Sequence, residues 1–304
     1  MNELKEARRV RSRRKGRRAP AWLTCLGEPA NGASVNPNLG LSPVSKTGAL
    51  EEQLAVLRRE RDNLEDGLFE AAQVQRKLSG PRQLSRGAFD IAGEVFPVRH
   101  VSGDFLTVFD SELHTVLAVG DIKGKGLGAG MWFAHILGLI RIFAGSLDPA
   151  KVAARINGHL AELQPEPPLT TLFLTWINTR TGELRYCNAG HPAPFVLRRD
   201  GSVEWLGAGG PVLGAVPDVA FTEGCAALNS GETLLCCSDG VLECTDRRGE
   251  EFGAEQLVET TRSAISASAS ATLFSVLGAV QDFAAGAPRV DDLALMVVHR
   301  PGET

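Results

Sequence analysis

Two hydrophobic periods divide the chain. Leu50, Leu54, Leu57, Arg61, Leu64, Leu68, Ala71, Gln75 and Leu78 follow one another at alternating spacings of four and three. This 3.5-residue repeat, interleaved with Glu51, Arg58, Glu60 and Glu65, predicts one long helix with a narrow apolar stripe. Thr47 is placed to cap its start, with Glu51 and Glu52 in the first turn, and Gly80-Pro81 to end it. So thin a stripe suits a parallel dimer through residues 50–78; the competing reading is a helix lying on the domain that follows.

From Phe89 the period shortens. Residues 89–95, 114–119, 172–178, 183–187, 195–198, 233–237 and 293–299 are short, β-rich runs bounded by Gly, Pro, Asn or Asp. Residues 178–182 (Asn-Thr-Arg-Thr-Gly) read as a hairpin loop between two of them. Helical stretches intervene at 127–146, 149–163, 254–263 and 271–284. Strands adjacent in hairpins, with helices grouped between, predict an antiparallel α+β layered sandwich rather than a βαβ repeat.

Charge adds an unlike third segment. The first twenty residues are net +7 and the whole chain −4, leaving −11 on the remainder. Residues 1–46 join this basic arm to a Pro/Gly/Asn/Ser segment that cannot bury enough apolar area to order itself. The organisation read from the sequence is therefore an arm (1–46), a dimerising helix (47–80) and a catalytic-sized domain (85–300). An acidic body does not favour nucleic acid but suits divalent cations. Cys25, Cys187, Cys225, Cys236, Cys237 and Cys244 form no CxxC pair, and most sit in or beside apolar runs, as buried thiols do in a reducing compartment. The N-terminus lacks the apolar stretch of a signal peptide, and the apolar run 131–144 is short for a membrane span. A cytoplasmic protein without an integral membrane segment is expected.

The candidate chemistry lies at strand ends. Asp121 closes the apolar run 116–119 and leads through Ile122-Lys123-Gly124-Lys125-Gly126 into a helix. Asp104 follows Ser102-Gly103, Asp239 follows Cys236-Cys237-Ser238, and Asp291-Asp292 opens the last strand. Each alone is a turn signal. Together they would bring carboxylates to the ends of one sheet structure, where repulsion raises their pKa values unless a cation neutralises them. An all-oxygen set points to Mg²⁺ or Mn²⁺ rather than Zn²⁺. Neither phosphate-loop pattern fits: Gly126-Leu127 follows Lys125 where GxxxxGK[ST] needs Ser or Thr, and Asp148 precedes a helix instead of ending a second parallel strand.

These residues resemble a known family. Gly103-Asp104-Phe105, Asp121-Ile122-Lys123-Gly124-Lys125-Gly126, Asn188-Ala189-Gly190-His191-Pro192, residues 210–214 (Gly-Pro-Val-Leu-Gly), Ser238-Asp239-Gly240-Val241-Leu242-Glu243 and Asp291-Asp292 occur in the order seen in metal-dependent protein phosphatases. The branch is the SpoIIE/RsbU type of bacterial serine/threonine phosphatases, related to the type 2C enzymes. The likeness runs from about residue 70 to 299, and residues 70–78 resemble the helix that this branch carries ahead of its catalytic domain. It implies a four-layer αββα sandwich holding two Mn²⁺ or Mg²⁺ ions per subunit. Carried over, Asp121 bridges both metals with the Ile122 carbonyl as a backbone ligand. Asp239 and Asp291 hold one metal, Asp104 the other directly or through water, and Asp292 supports them or exchanges roles with Asp291. The implied reaction is in-line attack of a metal-activated hydroxide on phosphoserine or phosphothreonine. The implied substrate is a phosphorylated STAS-domain antagonist of an anti-sigma factor, and the implied control element is the long helix.

Some positions depart from the family. Ser102 stands where glycine is frequent, and Thr107 where an acid is frequent, which bears on metal affinity. Lys123 and Lys125 read as phosphate-attracting or simply solvated. His191 reads as a turn residue more than a general acid, so water would protonate the leaving group. The rival reading is a catalytically weak or inactive phosphatase fold serving as a dimeric scaffold.

Overall fold

The computed structural model describes residues 43–80, 82–111, 114–163, 168–265 and 268–302. The basic arm lies outside the described residues up to position 42, as does Pro81. The chain divides into two compact units, residues 1–57 and 58–304.

Helix α1 (Pro43–Ser79) starts before Thr47, which therefore lies inside the helix rather than capping it. Proline in a first turn gives up only an N–H that has no partner there. Its leucine stripe has two fates. Leu50, Leu54, Leu57 and Leu64 are exposed, whereas Leu68, Ala71, Gln75 and Leu78 are half-buried, and Leu78 packs on a core cluster of the second unit. The C-terminal part of the stripe is therefore taken up by the domain that follows, and only residues 50–64 remain open to a second chain.

Two six-stranded sheets follow. One runs β1 (Gln83–Arg86), β2 (Phe89–Phe96), β12 (Leu293–His299), β11 (Thr233–Cys237), β7 (Phe195–Leu197), β8 (Val203–Trp205). The other runs β10 (Gly224–Ala227), β6 (Glu183–Ala189), β5 (Thr170–Ile177), β4 (Thr115–Ile122), β3 (Asp104–Asp110), with the two-residue β9 (Gly209–Gly210) parallel to β6. The other strand ladders among the described residues are antiparallel.

Alternation along the strands builds three apolar layers. Leu106, Val108, Leu117 and Val119 meet Ala294, Met296 and Val298 between the sheets. Val116, Ala118 and Ile122 face α2 (Leu127–Ala144) and α3 (Pro149–Glu162), packing with Phe133, Ile136, Ile140 and Ile156. Leu235, Leu293, Leu295 and Val297 face α5 (Gly253–Ala264) and α6 (Ala269–Ala284) on the other side. The result is a helix–sheet–sheet–helix sandwich: the hairpin pattern anticipated its antiparallel α+β layering, and the family resemblance implied its four layers. Helix α2 has the length and mean hydropathy (18 residues, 1.6) of a minimal membrane-crossing helix. One face is nevertheless fixed in the core through Phe133, Ile136, Leu137 and Ile140.

Strand β3 was not anticipated, although it carries a candidate ligand. Asp104 does not trail the first strand; it opens a strand of its own, paired along its whole length with β4.

Candidate metal centre

Parity places the first two carboxylates. On β3, Asp104 shares the inter-sheet face with Leu106 and Val108; on β4, Asp121 shares it with Val119 and Leu117. Asp104 and Asp121 are register partners, so both stand at the same rim of the sandwich. Asp239 arrives from the opposite sheet: β11 ends at Cys237, and Asp239 opens the short helix α4 (Asp239–Leu242). Ligand atoms of Asp104, Asp121 and Asp239 all lie within 4.8 Å of one another.

Glycines allow this approach. A Cβ on Gly103 would sit 2.7 Å from the carbonyl oxygens of Ile122 and Gly124 and 3.1 Å from Asp121 Oδ1. Gly240 lies so close to the Asp292 carbonyl that no side chain fits there.

The two C-terminal aspartates divide the work. Asp292 is buried, and its oxygens accept from the backbone N–H of Val98 (2.7 Å) and Gly103 (2.8 Å). Each oxygen thus holds a backbone amide of the 98–103 segment that leads into Asp104. Asp291 is half exposed and lies 2.6 Å from the Lys125 ammonium, which also donates to the Val290 carbonyl. Lys125 is therefore tied to the rim, whereas the Lys123 side chain is exposed.

Electrostatics follow from burial and crowding. Burial, then the like charges of Asp121, Asp239 and Asp292, hold the Asp104 carboxyl well above the usual range, while the Ser238 hydroxyl opposes the shift. Burial, then Asp239 and Asp291, raise Asp121 to about 6. Asp239 is raised by burial and Asp291. Each carboxylate that makes the others costly to ionise also makes a cation there more favourable.

Two neighbours are excluded from proton transfer or attack. Burial lowers His191 to about 3, so its imidazole is neutral. Its Nδ1 lies 2.9 Å from Thr171 Oγ1, which in turn accepts from the Asp121 N–H at 3.2 Å. A neutral Nδ1 accepting from the hydroxyl suits that chain and makes His191 a support beneath Asp121. The Cys237 thiol is pushed up to about 12 by burial and by Asp104 and Asp239, which makes it inert.

Sequence reasoning missed Gln75. Its side-chain amide donates to the Ser102 carbonyl (2.8 Å) and accepts from the Ser102 N–H (3.1 Å). A polar residue in a leucine stripe was the available signal. Thr107 lies on the α2 side of β3, opposite in parity to Asp104, so an acid lost there does not come from the carboxylate rim.

The residues fit a divalent cation. Asp104 Oδ2 is buried without a hydrogen-bond partner, an arrangement that is costly unless something else satisfies it. The donor set is carboxylate oxygen beside a backbone carbonyl, the preference of Mg²⁺ and Mn²⁺.

Comparison with known proteins agrees with this architecture. The family model for stage II sporulation protein E (SpoIIE) matches residues 111–301. Protein IcfG of Synechocystis is 28% identical over 233 residues, covering 67% of this chain and 37% of that protein. The chain thus spans little more than a third of IcfG. Phosphoserine phosphatase RsbU of Bacillus subtilis is 24% identical over 257 residues, covering 83% and 76%. The SiaA-PP2C domain of Pseudomonas aeruginosa superposes with a TM-score of 0.68 at 20% identity, covering 79% of this chain and 98% of that one. With the sandwich, the rim carboxylates and the matched span in agreement, the chain belongs to the SpoIIE family of metal-dependent, type 2C-like phosphatases, in the company of RsbU.

Proposed function

We propose that this protein is a cytoplasmic, divalent-cation-dependent protein serine/threonine phosphatase. The observation that carries this reading is the convergence of Asp104, Asp121 and Asp239 within 4.8 Å at one rim. No lysine or arginine salt bridge to any of the three occurs among the described residues.

Asp121, the Ile122 carbonyl, Asp239 and Asp291 would hold two Mn²⁺ or Mg²⁺ ions, with Asp104 contacting one of them directly or through water. When bound, such ions acidify coordinated water and neutralise charge on a phosphoryl group. The chain's own contribution is to hold these oxygens in place before substrate arrives. Asp292 fixes the 98–103 loop through two backbone amides. Lys125 restrains Asp291 on the exposed side, and Thr171 with His191 supports the Asp121 backbone. The half-exposed side of Asp239 and Asp291 leaves the rim open to a phosphorylated side chain carried on another protein. Neutral His191 cannot protonate the leaving alkoxide, so water does. Attack in line with the departing serine or threonine oxygen needs no phosphorylated enzyme residue.

The substrate favoured by the RsbU likeness is a small phosphorylated STAS-domain protein that antagonises an anti-sigma factor. The exposed Leu50, Leu54, Leu57 and Leu64 support a homodimer through the N-terminal part of α1.

Hydrolysis of a phosphoserine peptide with and without Mn²⁺ tests the reading, comparing wild type with Asp239→Asn. Mn²⁺-dependent turnover lost in the variant is expected. Absence of both turnover and calorimetric Mn²⁺ binding in the wild type would favour an inactive scaffold.

A further inference from the structure

His135 on α2 and His159 on α3 approach each other away from the carboxylate rim. Their Nε2 atoms are 3.1 Å apart and their ring centroids 5.1 Å apart, inclined by 35°. His135 is exposed and His159 half-buried. Their helices are not free to drift: Ile136 and Leu160, the adjacent positions, are fully buried in one apolar cluster. Trp132 packs edge-on to His135, with ring centroids 5.8 Å apart, and limits the imidazole's swing. Two imidazoles are thus held with like nitrogens facing, on helices whose spacing the core already sets.

That separation has a chemical meaning. Imidazole nitrogens bind Zn²⁺ at about 2.0–2.1 Å. Two of them on one ion are then about 2.9 Å apart at a right angle and about 3.4 Å apart at a tetrahedral angle, given that bond length. The observed 3.1 Å lies between these limits. A neutral N–H···N hydrogen bond also spans this distance, but in water such a bond contributes little, because both nitrogens exchange it for solvent.

We infer that His135 and His159 form a two-imidazole clip for a borderline divalent transition ion, Cu²⁺, Ni²⁺ or Zn²⁺, bridging α2 and α3. The site is distinct from the rim in ligand chemistry. Imidazole nitrogen selects these ions, while the all-oxygen rim suits Mg²⁺ and Mn²⁺. Solvent would complete the coordination sphere, reaching the pair from the exposed side of His135. The clip would join the helix that follows the Asp121–Gly126 loop to its neighbour. It does not depend on the phosphatase reading.

The test uses the full chain in excess Mg²⁺, which occupies oxygen sites but not imidazole pairs, and titrates Cu²⁺ by calorimetry and electron paramagnetic resonance. Expected is a Cu²⁺ population with hyperfine coupling to two imidazole nitrogens in wild type and in Asp239→Asn. Its affinity should fall at least tenfold in both His135→Asn and His159→Asn. Equal titrations in wild type and the two histidine variants would reduce the pair to a hydrogen bond and overturn the site. So would loss in only one variant, which would mark a single-histidine ligand. Circular dichroism and the metal-free melting temperature check the fold of each variant, with His135→Gln and His159→Gln as second substitutions.

Discussion

Asp104 and Asp121 stand directly opposite each other across the β3–β4 ladder. Like charges at such a pair destabilise a sheet, and here the two are also buried or half-buried at its end. Local strand chemistry would not select this pairing. It makes sense as a paired ligand set whose repulsion is removed by a cation, and the following predictions start from it.

The first concerns pH. Asp121 is raised from the usual aspartate value of 3.8 to about 6, and Asp104 and Asp239 are raised too. In each case the folded protein binds protons more tightly than the unfolded chain. Asp121 therefore destabilises the cation-free fold above pH 6, a cost relieved as pH falls through 6 towards 3.8, and Asp104 and Asp239 add costs of the same sign. The same protonation competes with metal. Thermal melts with and without Mn²⁺ should show a large Mn²⁺ increment at neutral pH that shrinks towards pH 5. An increment independent of pH would contradict the placement of the ions on these carboxylates.

Gly103→Ala should weaken cation binding. The new methyl would meet the Ile122 and Gly124 carbonyls at 2.7 Å, and backbone cannot yield as a flexible side chain does. A destabilisation of about 1–3 kcal/mol is expected from overpacking, with at least a tenfold rise in the Mn²⁺ dissociation constant measured calorimetrically.

Asp292→Asn separates support from ligation. One amide nitrogen would face a backbone N–H of Val98 or Gly103, losing a charge-assisted bond at a buried position. The expected loss of stability is about 1.5–3 kcal/mol by chemical denaturation. The stoichiometry of Mn²⁺ should be retained, whereas Asp291→Asn should lower it or the affinity sharply.

Gln75→Ala removes both bonds from α1 to the Ser102 backbone. Ser102 precedes Gly103 and Asp104, so the loss should appear as a several-fold rise in the Mn²⁺ concentration for half-maximal turnover, with little change in turnover at saturation. An unaltered Mn²⁺ dependence would show that α1 does not set the loop.

Leu57→Glu combined with Leu64→Glu should yield a monomer by light scattering, with the melting temperature of the 58–304 unit nearly unchanged. These leucines are 60% and 71% exposed.

Much of this protein was legible because its signals are local. The heptad stripe, the apolar strands ending in Asp121, Cys237 and His299, the 178–182 hairpin and the order of motifs each depend on neighbours in sequence. The sequence likewise marked Asp104, Asp121, Asp239 and Asp291-Asp292 as one chemical class. Tertiary structure decided what depends on long-range pairing. β3 became visible only through its partner β4, because its mixed run from Asp104 to Asp110 has no clear alternation of its own. Asp292 was assigned its two amides, at residues 98 and 103, by a contact spanning nearly the whole domain. Gln75 acquired its meaning the same way. His135 and His159, an exposed and a half-buried position on two helices, became a pair only once the buried faces beside them fixed how α2 and α3 cross. Sequence periodicity determines which face of an element is buried; only packing decides which side chains from separate elements then come within reach.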